Sequence, residues 1–503
     1  MSRSDLALVL RQVYAAVASI ADGPSIPQAV ARIPSSSAPA ETTAAPRSPQ
    51  PPIPSKTLII GAGLAGLVVA YRLWQAGVNC EVIEASDRVG GRIQTCYDAL
   101  GTGLAAELGG EVFDSDHVYC LRLVRSLGLP LIDLHQLAPE CETATYFFAG
   151  RRLAVEDLVA EFALVARQVA ADVSQIQPFL QRGQVTERTE ALDRLSIMDY
   201  LGRIGAAPML QSVIRVACTM KYGCEAAEQS SLNFLAFVGT QPHTFALFGN
   251  SDERFYIQGG NERLVQRLAA PLAAIQTGTA LEALYARPDG GYRACLRSGQ
   301  HSFEKNCDRV VLTIPFSVLR HIPLQVNLPQ RQRQAIAQLG YNQSVKLITA
   351  FKQRFWQPES ALIYSDLPFQ HVWETTASLR SSQMGLLTNY TGGQQSLCNL
   401  LDSPETSAHY LVEQLEQVLP GIQAEHQPQT SLRSDWLANP YAQGAYTCYR
   451  VGQWAQFYGA EGQRSGNLFF AGEHCSRQHQ GYMEGACETA EQVAVAILQD
   501  LDV

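Results

Sequence analysis

The pattern of apolar positions is clearest over residues 57–84. Thr57-Leu58-Ile59-Ile60 is a short apolar run of the kind that forms a buried strand. It stops at Gly61-Ala62-Gly63-Leu64-Ala65-Gly66. Leu64, Leu67, Val68 and Tyr71 then recur at helical spacing, so one face of a helix can bury against a sheet. Cys80-Glu81-Val82-Ile83 reads as a second strand, and Glu84 ends it with a carboxylate. The same reading predicts strands over Phe255–Ile257, Arg309–Ile314 (stopped by Pro315), Val345–Phe351 and Asn467–Phe470. Leu281–Leu296 alternates about the turn Asp289-Gly290-Gly291 and predicts a hairpin. Helices are predicted through Leu264, Leu268 and Leu272, and from Gly481-Tyr482-Met483 through Val493 and Ile497. Residues 116–248 have a helical texture with few strand signals, which predicts an inserted helical region. At the N-terminus, Leu6, Val9, Leu10, Val13 and Val17 outline an amphipathic helix within residues 1–22. Residues 34–54, rich in Ala, Ser, Thr and Pro, read as a mobile linker.

Strand, glycine turn, helix and acid-ended strand together predict a nucleotide-binding βαβ unit. Gly61 permits the tight turn, Gly63 lets backbone approach a pyrophosphate, and Gly66 lets helix and strand pack closely. The pyrophosphate would sit on the free N–H groups of the helix N-terminus, beside Ala65, where the dipole favours negative charge. Glu84 lies where an acceptor meets ribose hydroxyls, with Ala85 next to it. In the following turn, Gly90-Gly91-Arg92 offers a guanidinium with the geometry to fork onto a phosphate oxygen. Farther on, the paired glycines of Glu107-Leu108-Gly109-Gly110-Glu111 imply close backbone approach to something flat or to another strand.

Length and composition narrow the function classes. The 503 residues suffice for roughly two to four domains. A net charge of -9 without a long basic stripe argues against nucleic acid as a partner. The 12 cysteines form no CxxC pair, so neither a zinc site nor a disulfide framework is predicted, and a reducing, cytoplasmic setting is expected, with export left open. No apolar run reaches about 18 residues, so no transmembrane segment is expected.

The glycine turn with Glu84 and Arg92, together with Ala471-Gly472-Glu473 and Gly481-Tyr482-Met483-Glu484-Gly485-Ala486, resembles the flavin-containing amine oxidases over roughly residues 55 to 500. The resemblance implies an α/β fold: a Rossmann-like FAD-binding domain and a second, mixed α+β substrate domain carrying a helical insertion. The implied FAD-binding segments are 55–115, 250–325 and 432–503. The substrate domain would take 116–249 and 326–431, and residues 1–54 would be the N-terminal helix and linker. It also implies that Gly109, Gly110 and Glu111 lie near the flavin ring, that Leu281 meets the adenine end, and that Gly472, Glu473 and the helix opening at Met483 complete the FAD site. Tyr446 and Tyr482 match an aromatic cage for the substrate amine, and Lys346 matches a lysine that holds a water near the flavin. Ala445 stands where some members carry a flavin-linking cysteine, so non-covalent FAD is expected. Val112 stands where one branch of L-amino-acid oxidases has a carboxylate-clamping arginine, which leaves that clamp unassigned; Glu111 would suit a cationic substrate tail or simply bond backbone. The expected activity is oxidation of a small amine or amino acid by O2 to an imine and H2O2, with a lean towards an L-amino-acid oxidase. The alternatives are a monoamine or polyamine oxidase, and a low-turnover flavin-binding protein acting through its N-terminal helix. A homo-oligomer stays open.

Overall fold

The computed structural model describes residues 53–98, 100, 105–137, 144–238, 251–273, 275–354, 356, 362–375 and 384–503. The expected helix over 1–22 and the linker over 34–52 lie outside the described residues. The linker was expected to reach Pro54, but Ile53 and Pro54 already belong to the first strand, where Ile53 pairs with Val78 across a register shift.

A five-stranded parallel sheet organises the nucleotide-binding half. Its order is Leu468–Phe470, Arg309–Leu312, Ile53–Ile60, Val78–Ile83, Ile275–Gln276. The apolar runs form central strands because helices cover the sheet, so both strand faces leave water. Register aligns the strand ends: Ile60 pairs with Ile83 and with Leu312, and Leu312 pairs with Phe470. The residues that follow, Gly61, Glu84, Thr313 and Gly472, therefore meet at the carboxyl edge, where open α/β sheets bind ligands.

The helix Leu64–Gln75 makes the crossover, and its buried face carries Leu64, Leu67, Val68 and Leu73. It packs on the C-terminal helix Met483–Asp500, and the Arg72–Glu491 ion pair crosses that contact at 2.6 Å. The helix Val118–Ser126 was expected to open the helical insertion. Instead it joins the same buried cluster, because Glu484 of the C-terminal helix accepts the amides of Tyr119 and Cys120, each at 2.8 Å, at its N-terminus.

A second sheet of seven strands runs His426–Arg433, Val345–Phe351, Gly385–Thr391, His371–Glu374, Ile363–Ser365, Thr145–Phe148, Arg151–Arg152. Its last two strands and Leu131–Asp133 fall where the sequence predicts a helical texture. They are too short for their own periodicity to show, and they form because distant partners exist, as where Tyr146 lies opposite Tyr364. Around this sheet lie Val155–Arg182, with Leu158, Phe162, Val165, Val169, Val173 and Ile176 buried at helical spacing, and Pro208–Tyr222. The hairpin forms as Thr279–Ala286 and Tyr292–Ser298. The helix Glu262–Ala269 ends before Leu272, the strand Arg309–Leu312 ends before Ile314, and the strand Leu468–Phe470 starts after Asn467, each short of its predicted bound. Among the described residues, no helix is long and apolar enough to cross a membrane.

The crossover depends on close approach at Gly66, where a Cβ would collide with the Gly61 carbonyl oxygen. Gly61 itself turns at φ +108°, a region an L side chain rarely adopts. Gly66→Ala is expected to cost about 1–3 kcal/mol by overpacking, read as a lowered urea midpoint; an unchanged midpoint would show that the helix does not rest on this contact.

Candidate active site

A cavity of about 960 Å³ opens from the carboxyl edge of the parallel sheet towards the seven-stranded sheet. Of the residues singled out in the sequence, Gly61, Gly63, Ala65, Glu84, Ala85, Arg92, Gly109, Gly110, Glu111, Leu281, Lys346, Tyr446, Gly472, Glu473, Tyr482 and Met483 all line it. Gly66 does not; it stands behind the wall, against Gly61.

At the sheet edge, Glu84 is held by three donors. Its Oε2 accepts the Ala62 amide at 2.7 Å, and its Oε1 accepts the Ser86 amide at 2.8 Å and the Ser86 hydroxyl at 2.7 Å. An ionised carboxylate offers about four acceptor sites, so this one keeps capacity for a ligand hydroxyl. The hairpin strand meets the same wall, with the Thr279 amide donating to the Glu84 carbonyl at 2.8 Å, and this brings Leu281 alongside. The neighbouring helix N-terminus has no side-chain cap and no acidic residue in its first turn. Its N–H groups and dipole suit a phosphate.

Arg92, expected at a phosphate, lines the cavity and is also bonded within the chain. Its Nη1 donates to the Ala445 carbonyl at 2.8 Å and to Glu473 Oε1 at 2.9 Å. Glu473 also accepts the Thr447 hydroxyl at 2.9 Å and the Gly481 amide at 2.8 Å. Burial alone would raise this carboxyl. The Arg92 charge, then His474, and the hydrogen bonds outweigh it and hold Glu473 below the usual carboxylate range. One carboxylate thereby fixes the residues flanking both tyrosines of the predicted cage.

The loop Glu107–Glu111 forms the next wall. Each of its five carbonyls takes a side-chain donor. Lys346 Nζ serves Glu107 at 3.2 Å and Gly109 at 2.8 Å, and Trp436 Nε1 serves Leu108 at 3.0 Å. Asn261 Nδ2 serves Gly110 at 3.0 Å and Glu111 at 2.6 Å. Buried carbonyls in a non-regular loop need such partners. At Gly109 a Cβ would strike the Arg92 carbonyl, and at Gly110 it would lie 2.8 Å from Met483 Sδ. The close approach inferred from the paired glycines is thus to the Arg92 backbone on one side and to the C-terminal helix on the other. Met483 opens that helix, whose N-cap, Tyr482, also lacks a side-chain cap.

Lys346 does not stand alone, as its apolar strand suggests. It is 8% exposed, and besides the two carbonyls its Nζ donates to Glu111 Oε2 at 2.7 Å. Three donors thus meet three protein acceptors. Glu111, expected to face cofactor or substrate, spends its other oxygen on Trp373 Nε1 at 3.0 Å.

The tyrosines meet beyond this loop. The Tyr446 hydroxyl donates to the Lys221 carbonyl at 2.5 Å and lies 2.9 Å from the Tyr390 hydroxyl. Lys221 Nζ donates to the Tyr482 hydroxyl at 2.6 Å. A Cβ at Gly481 would lie 3.1 Å from the Tyr446 ring, so the two tyrosine segments touch. Burial pushes both phenols well above their ordinary range, so they stay neutral. His117 meets the Tyr482 ring edge-on at 5.2 Å; burial, then the charges of His479 and Lys221, push its imidazole down to about 3. Sequence reasoning missed Lys221, Tyr390, Trp373 and His117. Lys221 in particular reads as an ordinary cation favoured at a helix C-terminus.

The cavity passes the test for FAD. Two helix N-termini without side-chain caps and the Glu84 acceptor suit diphosphate and ribose, and the backbone of Gly109 and Gly110 lines the same cavity.

The model for flavin containing amine oxidoreductases matches residues 64–498. A lysine-specific histone demethylase 1 homologue of Arabidopsis thaliana is 27% identical over 89% of this chain, which spans 52% of that relative. An L-amino-acid oxidase of Pseudechis australis is 24% identical over 87% of this chain and 85% of its own. The solved cyclohexylamine oxidase of Brevibacterium oxydans IH-35A shares the fold at a TM-score of 0.76 and 22% identity, covering 89% of this chain and 100% of that one. The chain belongs to the flavin-containing amine oxidoreductases, and FAD is its cofactor.

Proposed function

We propose that the chain is an L-amino-acid oxidase, converting an α-amino acid and O2 to the imino acid and H2O2, after which the imine hydrolyses in water. Bound FAD would supply the acceptor for the hydride equivalent lost from the carbon bearing nitrogen and the route for those two electrons to O2. The neutral phenols of Tyr446 and Tyr482, which line the same cavity as Gly109, Gly110 and Met483, are the observation that carries an amine substrate. Their rings offer a polarisable wall to an uncharged amine, and Tyr390 and Lys221 fix their hydroxyls. The uncapped N-terminus at Met483 faces the same cavity and suits negative charge developing there. The amino-acid reading is supported by the segments Ser251–Asn261 and Ala471–His474, which look nearer bacterial amino-acid oxidases, and by the 24% identity to a snake L-amino-acid oxidase. A free monoamine or polyamine is the second reading, favoured by Val112 and by the acids Asp114 and Glu253 on the cavity wall.

Under anaerobic conditions, α-amino acids are expected to bleach the flavin absorbance, and in air to yield one H2O2 per turnover. Bleaching by free amines alone would make this an amine oxidase of the second kind, and bleaching by neither would leave a flavin-binding protein. Ala445 offers no sulfur for a flavin link, so acid precipitation is expected to leave yellow flavin in the supernatant; a coloured pellet would show a covalent bond. Lys346→Met removes one partner of a buried pair, which costs about 3–5 kcal/mol. The double variant Lys346→Met/Glu111→Gln is expected to recover most of that loss in thermal unfolding. If Lys346 also serves the oxygen step, reduced Lys346→Met enzyme reoxidises more slowly in stopped flow; unchanged reoxidation confines it to holding the loop.

A further inference from the structure

We propose that the substrate carries an aromatic side chain, and that Trp373 and Tyr390, on the face of the seven-stranded sheet that also bears Lys346, select it. The inference deepens the reading above and takes from it only that the amine sits at Tyr446 and Tyr482. Along a strand, successive side chains point to opposite faces, and residues paired across strands share a face. Lys346 pairs with Tyr390, Tyr390 with His371, and His371 with Tyr364. Trp373 lies two residues beyond His371 and returns to the same face. All five residues line the cavity. Register across neighbouring strands thus turns one sheet face, beside the lysine that serves the Glu107–Glu111 loop, into a row of rings.

The rings pack on one another. Tyr364 stacks on His371 with centres 4.3 Å apart and planes at 13°, His371 lies 5.1 Å from Trp373, and Trp373 meets Tyr390 edge-on at 5.8 Å and 61°. Two bonds fix the end nearest the amine. The Tyr390 hydroxyl lies 2.9 Å from that of Tyr446, and Trp373 Nε1 donates to Glu111 Oε1 at 3.0 Å. A side chain that leaves an amine held at Tyr446 and follows this wall therefore meets Tyr390 and Trp373, both already locked in place. Tyr222 and Phe237, edge-on to each other at 6.2 Å, add two more rings to the same cavity. An aliphatic side chain gains there only the area it removes from water. An aromatic one adds an offset or edge-on attraction with each ring it meets. Rings fixed in advance also spare the ordering that a flexible wall would need.

The test uses the FAD-loaded enzyme and substrate pairs of matched shape: phenylalanine against cyclohexylalanine, and phenethylamine against cyclohexylethylamine. The saturated ring carries at least as much apolar surface, so burial alone gives it no disadvantage. The unaltered enzyme is expected to favour the aromatic member about 2–10-fold in kcat/KM, the effect of one aromatic pair, chiefly through KM. Trp373→Leu and Trp373→Phe both lose the bond to Glu111, but only Trp373→Phe keeps a ring. The aromatic-to-saturated ratio should therefore drop in the first and persist in the second, whatever happens to the absolute rates. If Trp373→Leu fails to load FAD, the same comparison is made with Tyr390→Leu and Tyr390→Phe. Equal or better turnover of the saturated members by the unaltered enzyme would overturn the proposal, as would the same ratio in the Leu and Phe variants. If only the amines are oxidised, the amino-acid reading falls alone and the amine pair decides. If neither class is oxidised, the proposed function falls and takes this inference with it.

Discussion

The ion pair between Arg92 and Glu473 is the constraint on which the site depends. Burying two charges costs several kcal/mol per ion, and their attraction alone seldom repays it. Such a pair is a poor source of net stability but a strict source of geometry, because each lone pair left unsatisfied is expensive. Glu473 meets that demand with Arg92, Thr447 and Gly481, and Arg92 adds the Ala445 carbonyl. The turn behind Glu84, the segment bearing Tyr446 and the segment bearing Tyr482 are thereby tied to one carboxylate. Moving any of the three would strand a buried charge.

The same economy governs the loop beside it. A run of irregular backbone at the bottom of a cavity cannot satisfy its own carbonyls, so the fold brings donors from three distant places. Lys346 comes from the seven-stranded sheet, Trp436 from the segment after it, and Asn261 from the turn before the helix Glu262–Ala269. This accounts for a lysine in an apolar strand: its stem crosses the sheet face and its head completes a loop. Held from behind, that loop keeps its glycines against Arg92 and Met483 and presents a flat surface to the cavity.

What the sequence made legible follows from the range of the interactions. The strand, glycine turn, helix and Glu84 are written within about thirty residues, and their chemistry is local: a positive φ at Gly61, a close approach at Gly66, an acid at a strand end. The same holds for the hairpin and the C-terminal helix. The motifs also picked out residues that share one cavity, because each lies just beyond an element whose end the sheet register aligns. The partners were not legible. Arg92 and Glu473 are 381 residues apart, Lys346 and Glu111 235, and Lys221 and Tyr482 261. No periodicity encodes such pairs. Arg92 and Glu111, expected at the cofactor, therefore gain protein partners that the sequence does not show.

A charged residue near a ligand site is assigned to the ligand by default, yet a buried charge must first be satisfied by the protein that folds without the ligand. Arg92, Glu111, Lys346 and Glu473 meet that condition through one another and through nearby donors and acceptors. Those four are partnered within the chain, while Lys221, Asp114 and Glu253 line the same cavity as the two tyrosines. Lys221 comes from the helix Pro208–Tyr222, whereas Asp114 and Glu253 lie just outside the helical region, at the edges of the segments that flank it.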